Sequence, residues 1–79
     1  MNDFNAMPKV VGLKQTLKNI KAGRIEKVIL AMDSDDFIIK EVNRACQEQS
    51  VPIAAAESKR ALGKACGIER AAAVVGILK

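Results

Sequence analysis

Hydrophobic positions along the chain follow two kinds of spacing, one typical of strands and one typical of helices. Continuous apolar runs such as residues 28–32 predict strands that are buried on both faces. Leu13, Leu17 and Ile20 instead recur at helical intervals after Gly12, which places them on one face of a helix. The pattern predicts strands at residues 9–11, 28–32, 51–56 and 71–78, and helices at about 13–22, 35–48 and 59–66.

Glycines and short polar residues mark where the predicted helices begin and end. Gly23 and Gly67 stand where a helix often ends in a left-handed residue. Ser58 is expected to cap the third helix, and the acidic run 33–36 is expected to supply N-cap oxygens and first-turn charges to the second. Because strands and helices alternate, we expect an α/β sandwich with helices on both faces of the sheet.

Composition and charge narrow the functions that the chain can carry. Its 79 residues include 13 basic and 9 acidic side chains, for a formal net charge of +4. This balance favours an anionic partner such as nucleic acid. No apolar run approaches the roughly 20 residues of a membrane span, so we expect a soluble, cytoplasmic protein that binds no membrane. Histidine, tryptophan and tyrosine are absent, which removes the commonest general base and disfavours base stacking on exposed rings.

The acidic run 33–36 is the strongest hint of an enzyme in the sequence. Asp33 and Asp35 follow an apolar strand, a placement that superficially matches phosphatases with a strand-end aspartate nucleophile. A helix cap explains the same residues, and so short a chain leaves little room for a phosphate-binding lysine, metal ligands and a covering segment. We therefore expect no enzyme, no metal and no cofactor. Cys46 and Cys66 are expected to be reduced thiols packed in the core.

Basic residues mark the starts of two predicted helices. Lys14, Lys18 and Lys21 share one face of the first helix, and Arg60 and Lys64 share a face of the third. Each stripe alone is typical of a solvated helix face. Both helices, however, follow strands and should begin where helix N-termini gather at the sheet. Backbone N–H groups and basic side chains would then converge on one edge that attracts anions.

Three segments of the chain resemble a known family. They read GLKQTLKNIKAG from Gly12, AMDSDD from Ala31, and SKRALGKACGIERAAAVVGI from Ser58. These segments are similar to the kink-turn-binding ribosomal proteins, the L7Ae family with its L30e relatives, over about residues 9–79. The resemblance implies a three-layer α/β/α sandwich with a small mixed β-sheet. The length of the chain predicts a single domain, and the polar residues 1–8, which end in Pro8, predict a flexible lead before it. It also implies binding to kink-turns, sharply bent RNA duplexes whose short bulge adjoins sheared G·A pairs.

The RNA-binding positions of that family can be matched to this chain residue by residue. Lys14 and Gln15 would face base edges at the G·A pairs. Asp35 and Ile39 stand where relatives touch the extruded bulge nucleotide, and Lys59 where they contact that nucleotide or the nearby backbone. The loop that follows the third helix would cover the bulge. The full expected set is Gly12, Lys14, Gln15, Lys18, Lys21, Asp35, Ile39, Lys59, Ile68, Glu69, Arg70 and Ala71.

Two positions depart from the family pattern, and a third position, Ile68, has two possible roles. Lys14-Gln15 replaces the Asn-Glu of archaeal and eukaryotic members, so an amide that can still accept a hydrogen bond replaces a carboxylate. Arg70 makes the loop more cationic than in many bacterial relatives. Ile68 could pack on an extruded base, or it could fasten the end of the third helix to the sheet.

The expected function is recognition and stabilisation of kink-turns in structured RNA by a ribosome-associated, monomeric protein. Its target could be ribosomal RNA, a riboswitch or a messenger leader, and the sequence does not choose among them. A different class of function is a structural or protein-interaction module that keeps the fold without the RNA contacts. The basic residues at 14, 18, 59 and 70 favour the first alternative.

Overall fold

The computed structural model of the chain describes residues 7–79, whose strands and helices follow the predicted order. The elements are β1 (Lys9–Val11), α1 (Leu13–Lys21), β2 (Ile25–Ala31), α2 (Asp36–Gln49), β3 (Ile53–Ala56), α3 (Lys59–Ala65) and β4 (Val74–Leu78). Of the predicted flexible lead, residues 1–6 lie outside the described part of the chain. The Pro8 carbonyl accepts a 3.0 Å hydrogen bond from the Leu78 N–H, so Pro8 adjoins the sheet.

The strands form one mixed sheet in the order β1-β4-β2-β3. β4 runs antiparallel to both of its neighbours, β1 and β2, while β2 and β3 are parallel. It follows that β1, β2 and β3 all point the same way. Each of these strands is followed by a helix, so α1, α2 and α3 all begin at the same edge of the sheet.

Helices cover both faces of the sheet, which confirms the predicted three-layer α/β/α sandwich. Ile20 of α1 and Val42 of α2 pack with Val28 and Leu30 on one face, and Leu62 of α3 packs with other strand residues on the opposite face. Side chains of β2 alternate between these two cores, which explains why its apolar run is continuous. The thiols of Cys46 and Cys66 are buried in the first and second core, respectively, as predicted.

A glycine in β4 lets α1 lie close to the sheet. A Cβ atom at Gly76 would come within 2.7 Å of Ile25 Cδ1 and 3.2 Å of Thr16 Cγ2. Thr16 is fully buried at this contact, and its Oγ1 has no hydrogen-bond partner among the described residues. The close approach of helix and strand thus leaves a buried hydroxyl unsatisfied.

Strand boundaries differ from the predicted ones where hydrogen bonds between distant segments decide them. β2 begins at residue 25 instead of 28, because Ile25 pairs with Leu78 beside a local irregularity in the register. It ends before Met32, whose exposed side chain lies in a turn. β4 begins at residue 74 instead of 71, since the Ala72 N–H donates to the carbonyl of Lys59 in α3 and not to a neighbouring strand.

Most of the predicted helix ends are confirmed. The Ser58 hydroxyl accepts a 3.0 Å hydrogen bond from the Ala61 N–H at the start of α3. Gly23 and Gly67 have positive φ angles of 72° and 74° after α1 and α3. α2 ends at Ser50, which adopts the left-handed conformation with φ 57° although it is not a glycine.

The predicted role of the acidic run at the start of α2 is wrong in part. Asp36 lies in the first turn, but Asp35 occupies the N-cap position without a side-chain hydrogen bond to the helix. Asp33 instead accepts a 2.8 Å hydrogen bond from the Lys59 N–H, and the Ser34 hydroxyl donates to the Ala73 carbonyl at 3.2 Å. The loop lies beside α3 and β4, so its side chains satisfy backbone groups of those segments.

Candidate functional site

The functional residues expected from the sequence converge mainly on one edge of the sheet, which we call the carboxyl edge. It comprises the carboxyl ends of β1, β2 and β3, the start of β4, and the segments attached to them. These segments are the start of α1 at 12–15, the β2–α2 loop at 32–35, the start of α3 at 57–59 and the α3–β4 loop at 66–73. The sequence alone predicted such a convergence of helix starts.

The start of α1 presents hydrogen-bond donors and a basic side chain to solvent. Gly12 adopts φ 99° and donates its N–H to the Val74 carbonyl at 3.0 Å, which fixes the helix start to β4. As a glycine it has no side chain to cap the helix. The N–H groups of residues 13–15 therefore have no partner in the described chain, and the exposed side chains of Lys14 and Gln15 lie beside them.

The backbone of Lys59 joins three of the segments at this edge. Its N–H donates to the Asp33 carboxylate in the β2–α2 loop, and its carbonyl accepts a 3.0 Å hydrogen bond from Ala72 in the α3–β4 loop. The neighbouring Ala73 carbonyl accepts from the Ala31 N–H at 2.8 Å and from the Ser34 hydroxyl. This network fixes the backbone of Lys59 between the loops, and the Lys59 side chain is half-buried there.

The α3–β4 loop lies directly on α3 because Gly63 has no side chain. A Cβ atom at Gly63 would overlap the Arg70 carbonyl oxygen, and the Ile68 N–H donates to the Gly63 carbonyl at 3.0 Å. Ile68 is half-buried and packs against the core on the α3 side. Glu69, Arg70 and Ala71 follow it and are exposed.

The structure brings most of the expected site residues together and separates three from the rest. Lys18 lies one helical turn beyond Lys14 along α1. Lys21 lies at the far end of that helix, about 10 Å from Lys14 along the axis. Ile39 is half-buried and packs into the core between α1, α2 and the sheet. The residues at the carboxyl edge itself are Gly12, Lys14, Gln15, Asp35, Lys59, Ile68, Glu69, Arg70 and Ala71.

Cations at the carboxyl edge and on the adjoining turn of α1 are available to an outside partner. The exposed side chains of Lys14, Lys18 and Arg70 form no ion pair or hydrogen bond with any residue in the described range 7–79. Carboxylates are also present, at Asp35 and Glu69, so the surface is mixed in charge. Unpaired surface cations of this kind can neutralise phosphates without first breaking an internal contact.

Within residues 7–79 there is no group of three or more histidine, cysteine or acidic side chains that could hold a metal ion. The Asp33 carboxylate, the candidate nucleophile, accepts the hydrogen bond from Lys59 that fixes the loop. Its position is thus explained by a structural role. None of the helices in the described range is both long and apolar enough to cross a membrane.

Two exposed apolar side chains at this edge were not expected from the sequence. Met32 is 61% exposed in the β2–α2 loop, and Phe37 is 67% exposed in the first turn of α2. Met32 ends an apolar run and so resembles a strand residue, while Phe37 stands next to the inward-facing Ile38. The orientation of α2 on the sheet turns Phe37 to solvent. The helical periodicity of Ile38 and Val42 was the one signal that could have shown it.

The sequence and the fold both have known relatives. Residues 8–79 match the model of the ribosomal protein L7Ae/L30e/S12e/Gadd45 family. The chain is similar to RNA-binding protein YbxF of Geobacillus stearothermophilus, with 44% identity over 70 residues that cover 89% of this chain and 85% of that protein. A protein of Geobacillus thermodenitrificans named RNA-binding protein is 46% identical over 70 residues, with the same 89% and 85% coverage.

Solved structures share the same architecture. The Giardia lamblia 15.5kD RNA binding protein matches with a TM-score of 0.83 and 35% identity, over 90% of this chain and 60% of that one. A Bacillus halodurans protein of unknown function matches with a TM-score of 0.84 and 24% identity, over 90% of this chain and 71% of that one, and supports the fold alone. These relatives agree with the prediction that the chain is not an enzyme. The chain belongs to the ribosomal protein L7Ae/L30e/S12e/Gadd45 family.

Proposed function

We propose that this protein binds structured RNA at the carboxyl edge and stabilises the kink-turn conformation. The observation that carries the proposal is the convergence of three kinds of group at this edge: the uncapped start of α1 with Lys14 and Gln15, Lys59 with its fixed backbone, and the α3–β4 loop with Arg70. N–H donors and unpaired cations suit phosphates, and Lys14 and Gln15 can read base edges. The names of the relatives support RNA as the partner.

A kink-turn suits such a surface because its sharp bend brings two phosphate backbones close together. Their repulsion makes the bent form costly, so free RNA is distributed between bent and extended forms. A rigid protein that binds only the bent form shifts this equilibrium by its difference in affinity for the two forms. The hydrogen bonds that join Asp33, Lys59 and Ala72 supply the required rigidity.

The scope of the proposal follows from the same surface. Recognition by shape, phosphates and a few base edges requires no aromatic platform, which agrees with the composition. The protein acts in this proposal as a cytoplasmic, ribosome-associated monomer. Ribosomal RNA, a riboswitch and a messenger leader remain equal candidates for its target.

Binding to a matched pair of RNAs tests the proposed function. One RNA carries a standard kink-turn, and the other has its sheared G·A pairs replaced by Watson–Crick pairs. We expect the kink-turn to bind more tightly by about 1–3 kcal/mol for each base contact that the replacement removes. Fluorescence anisotropy at fixed salt measures both dissociation constants. Equal affinities would show that the protein binds RNA only through a non-specific cationic surface, and would refute recognition of the kink-turn.

Lys14→Ala tests the part of the surface that belongs to α1. It should weaken kink-turn binding by about 1–3 kcal/mol if Lys14 reaches a base edge, and by less if it meets only phosphate. Its melting temperature should hardly change, because Lys14 is exposed. Arg24→Ala is the matched control, since Arg24 is also exposed but lies at the opposite end of α1. Equal losses in the two variants would show a general effect of charge.

A further inference from the structure

A groove beside the carboxyl edge forms a second basic surface that the expected site residues only partly include. It is an open depression of about 440 Å³ between the outer side of α3 and the α3–β4 loop. Its lining residues are Arg60 and Lys64 from α3 and Ile68, Glu69, Arg70 and Ala71 from the loop. Arg60 and Lys64 have no place among the residues matched to the family.

The groove is a built feature of the fold and not a gap beside a loose loop. Contact between the Arg70 carbonyl and Gly63 presses the loop onto α3, and hydrogen bonds tie Ile68 to Gly63 and Ala72 to Lys59. The loop is therefore anchored to the helix at both of its ends. Both walls of the groove are consequently in place before any ligand binds, so little ordering is needed on binding.

The charge of the groove selects an anion. Arg60, Lys64 and Arg70 line it together with a single carboxylate, that of Glu69. The three cations are exposed, and none forms an ion pair or a side-chain hydrogen bond within residues 7–79. Arg60 and Lys64 are spaced i, i+4 on one helix face, which places them side by side. Two guanidinium groups suit phosphate in particular, because each can donate two parallel hydrogen bonds to its oxygens.

We propose that this groove, which we call the α3 groove, binds the phosphate backbone of an RNA strand that flanks the kink. The inference rests on the proposed function, since the α3–β4 loop is shared between the α3 groove and the carboxyl edge. One RNA lying on the edge can continue into the groove without leaving the protein surface. The groove is open and shallow, which suits an extended backbone better than a small anion that must be enclosed.

The test compares RNAs that differ only in length. The minimal RNA is a kink-turn with short flanking helices, and the extended RNAs lengthen one or the other helix by a full turn. Dissociation constants are measured across a salt series for the wild type and for the Arg60→Gln/Lys64→Gln double variant. Lys40→Gln/Arg44→Gln is the control, because it neutralises an exposed basic pair of the same i, i+4 spacing on α2. Circular dichroism melts confirm that each variant is folded.

We expect the wild type to bind one extended RNA more tightly than the minimal RNA. In the groove variant this advantage should disappear, with about a tenfold weaker affinity for that RNA and a log–log salt slope reduced by about 1.5 to 2. The control should keep the advantage. The inference is overturned if the groove variant and the control lose affinity equally, or if the groove variant weakens minimal and extended RNAs alike.

Failure of the proposed function and failure of the groove are distinguishable in these data. If the proposed function is wrong, measurements on the wild type suffice to show it, because the kink-turn and the RNA with Watson–Crick pairs then bind with equal affinity. If only the groove assignment is wrong, the comparison of the variants on minimal and extended RNA shows it. An acidic peptide serves as a competitor in the same assay. If it binds the wild type but not the groove variant, while the extended RNAs bind both equally, the groove belongs to an acidic protein and the RNA assignment is wrong.

Discussion

At the residue scale, Thr16 shows how a single polar atom can oppose the packing around it. Its methyl group fills the space above Gly76, while its hydroxyl is buried without a partner among the described residues. A buried, unsatisfied hydroxyl costs about 1–3 kcal/mol relative to an apolar group of the same shape. The helix start that is proposed to contact RNA thus rests on a contact that is not optimal for stability.

Thr16→Val should therefore stabilise the protein. Valine keeps the branched shape and the methyl contact but removes the hydroxyl, so the free energy of unfolding should rise by about 1 kcal/mol. Urea denaturation measures the change. Thr16→Ser is the informative control, because it keeps the hydroxyl, loses the methyl contact and should destabilise. A less stable valine variant would mean that the hydroxyl has a partner in solution.

The position of Ile68 is compatible with both of the roles that the sequence left open, a contact with RNA and a packing contact with the sheet. It is half-buried against the core on the α3 side, and it also lines the α3 groove. Ile68→Ser should lower the free energy of unfolding by about 1–2 kcal/mol, since only part of the side chain leaves the core. If Ile68 also contacts RNA, affinity measured well below the melting temperature should fall by about 1–2 kcal/mol. A lowered melting temperature with unchanged affinity would leave only the structural role.

At the element scale, α3 and the loop after it behave as one unit, and Gly63 makes that possible. Exchanging a glycine in a helix for alanine ordinarily stabilises it by about 1 kcal/mol. Here the added Cβ would overlap the Arg70 carbonyl oxygen, a backbone atom that cannot rotate away. The loop would have to leave the helix, and the hydrogen bond from Ile68 to Gly63 would be strained.

Gly63→Ala should accordingly destabilise the protein, against the usual trend, by about 1–3 kcal/mol. It should also weaken RNA binding, because Arg70 and Ile68 would be displaced. Ala61→Gly is a suitable control, since Ala61 is an exposed residue of the same helix and should cost about 1 kcal/mol without changing the affinity. A Gly63→Ala protein that is more stable than the wild type would show that the loop is not pressed on the helix.

Elements also differ in how closely the sequence predicts them. α1 and α3 match their predictions because apolar spacing, Ser58 and the glycines after both helices are local signals. The start of β4 does not, since hydrogen bonds to α3 decide it. The role of Asp33 also depends on a partner distant in sequence, the Lys59 N–H. No local pattern can distinguish that contact from an ordinary helix cap.

At the scale of the whole molecule, the burial of one thiol in a core makes the stability of the protein depend on pH. Cys46 is 1% exposed in the core between α1, α2 and the sheet, and burial raises the pKa of its thiol. The folded protein therefore holds the thiol proton at pH values where the unfolded chain has lost it. Stability that depends on this neutral thiol is complete at low pH and decreases as the pH rises.

The free energy of unfolding should therefore fall with a steeper slope above about pH 9 in the wild type than in Cys46→Ala. The alanine variant is less stable throughout, because it leaves a small cavity, but it lacks this titration. Urea denaturation at a series of pH values gives both slopes. The comparison of the two proteins removes the contribution of every group that they share. Identical slopes would show that the thiol ionises equally in both states.

The sequence by itself determined the order of the elements, their inward faces and the ends of α1 and α3. These features depend on periodicity, glycine conformation and capping within a few residues, which act locally in the chain. It also allowed the convergence of helix starts at one edge to be predicted, because alternating strands and helices favour that arrangement. The family resemblance supplied the expected RNA contacts, whose roles remain predictions.

Only the tertiary structure decided how these parts meet. The insertion of β4 between β1 and β2 brings the loop before it to the carboxyl edge beside Lys59. The length of α1 separates Lys21 from Lys14, although their spacing places both on one helix face. The close contact of Gly63 with the Arg70 carbonyl forms the α3 groove. Each of these arrangements depends on strand pairing, a helix end or steric contact in three dimensions, which the local sequence pattern does not specify.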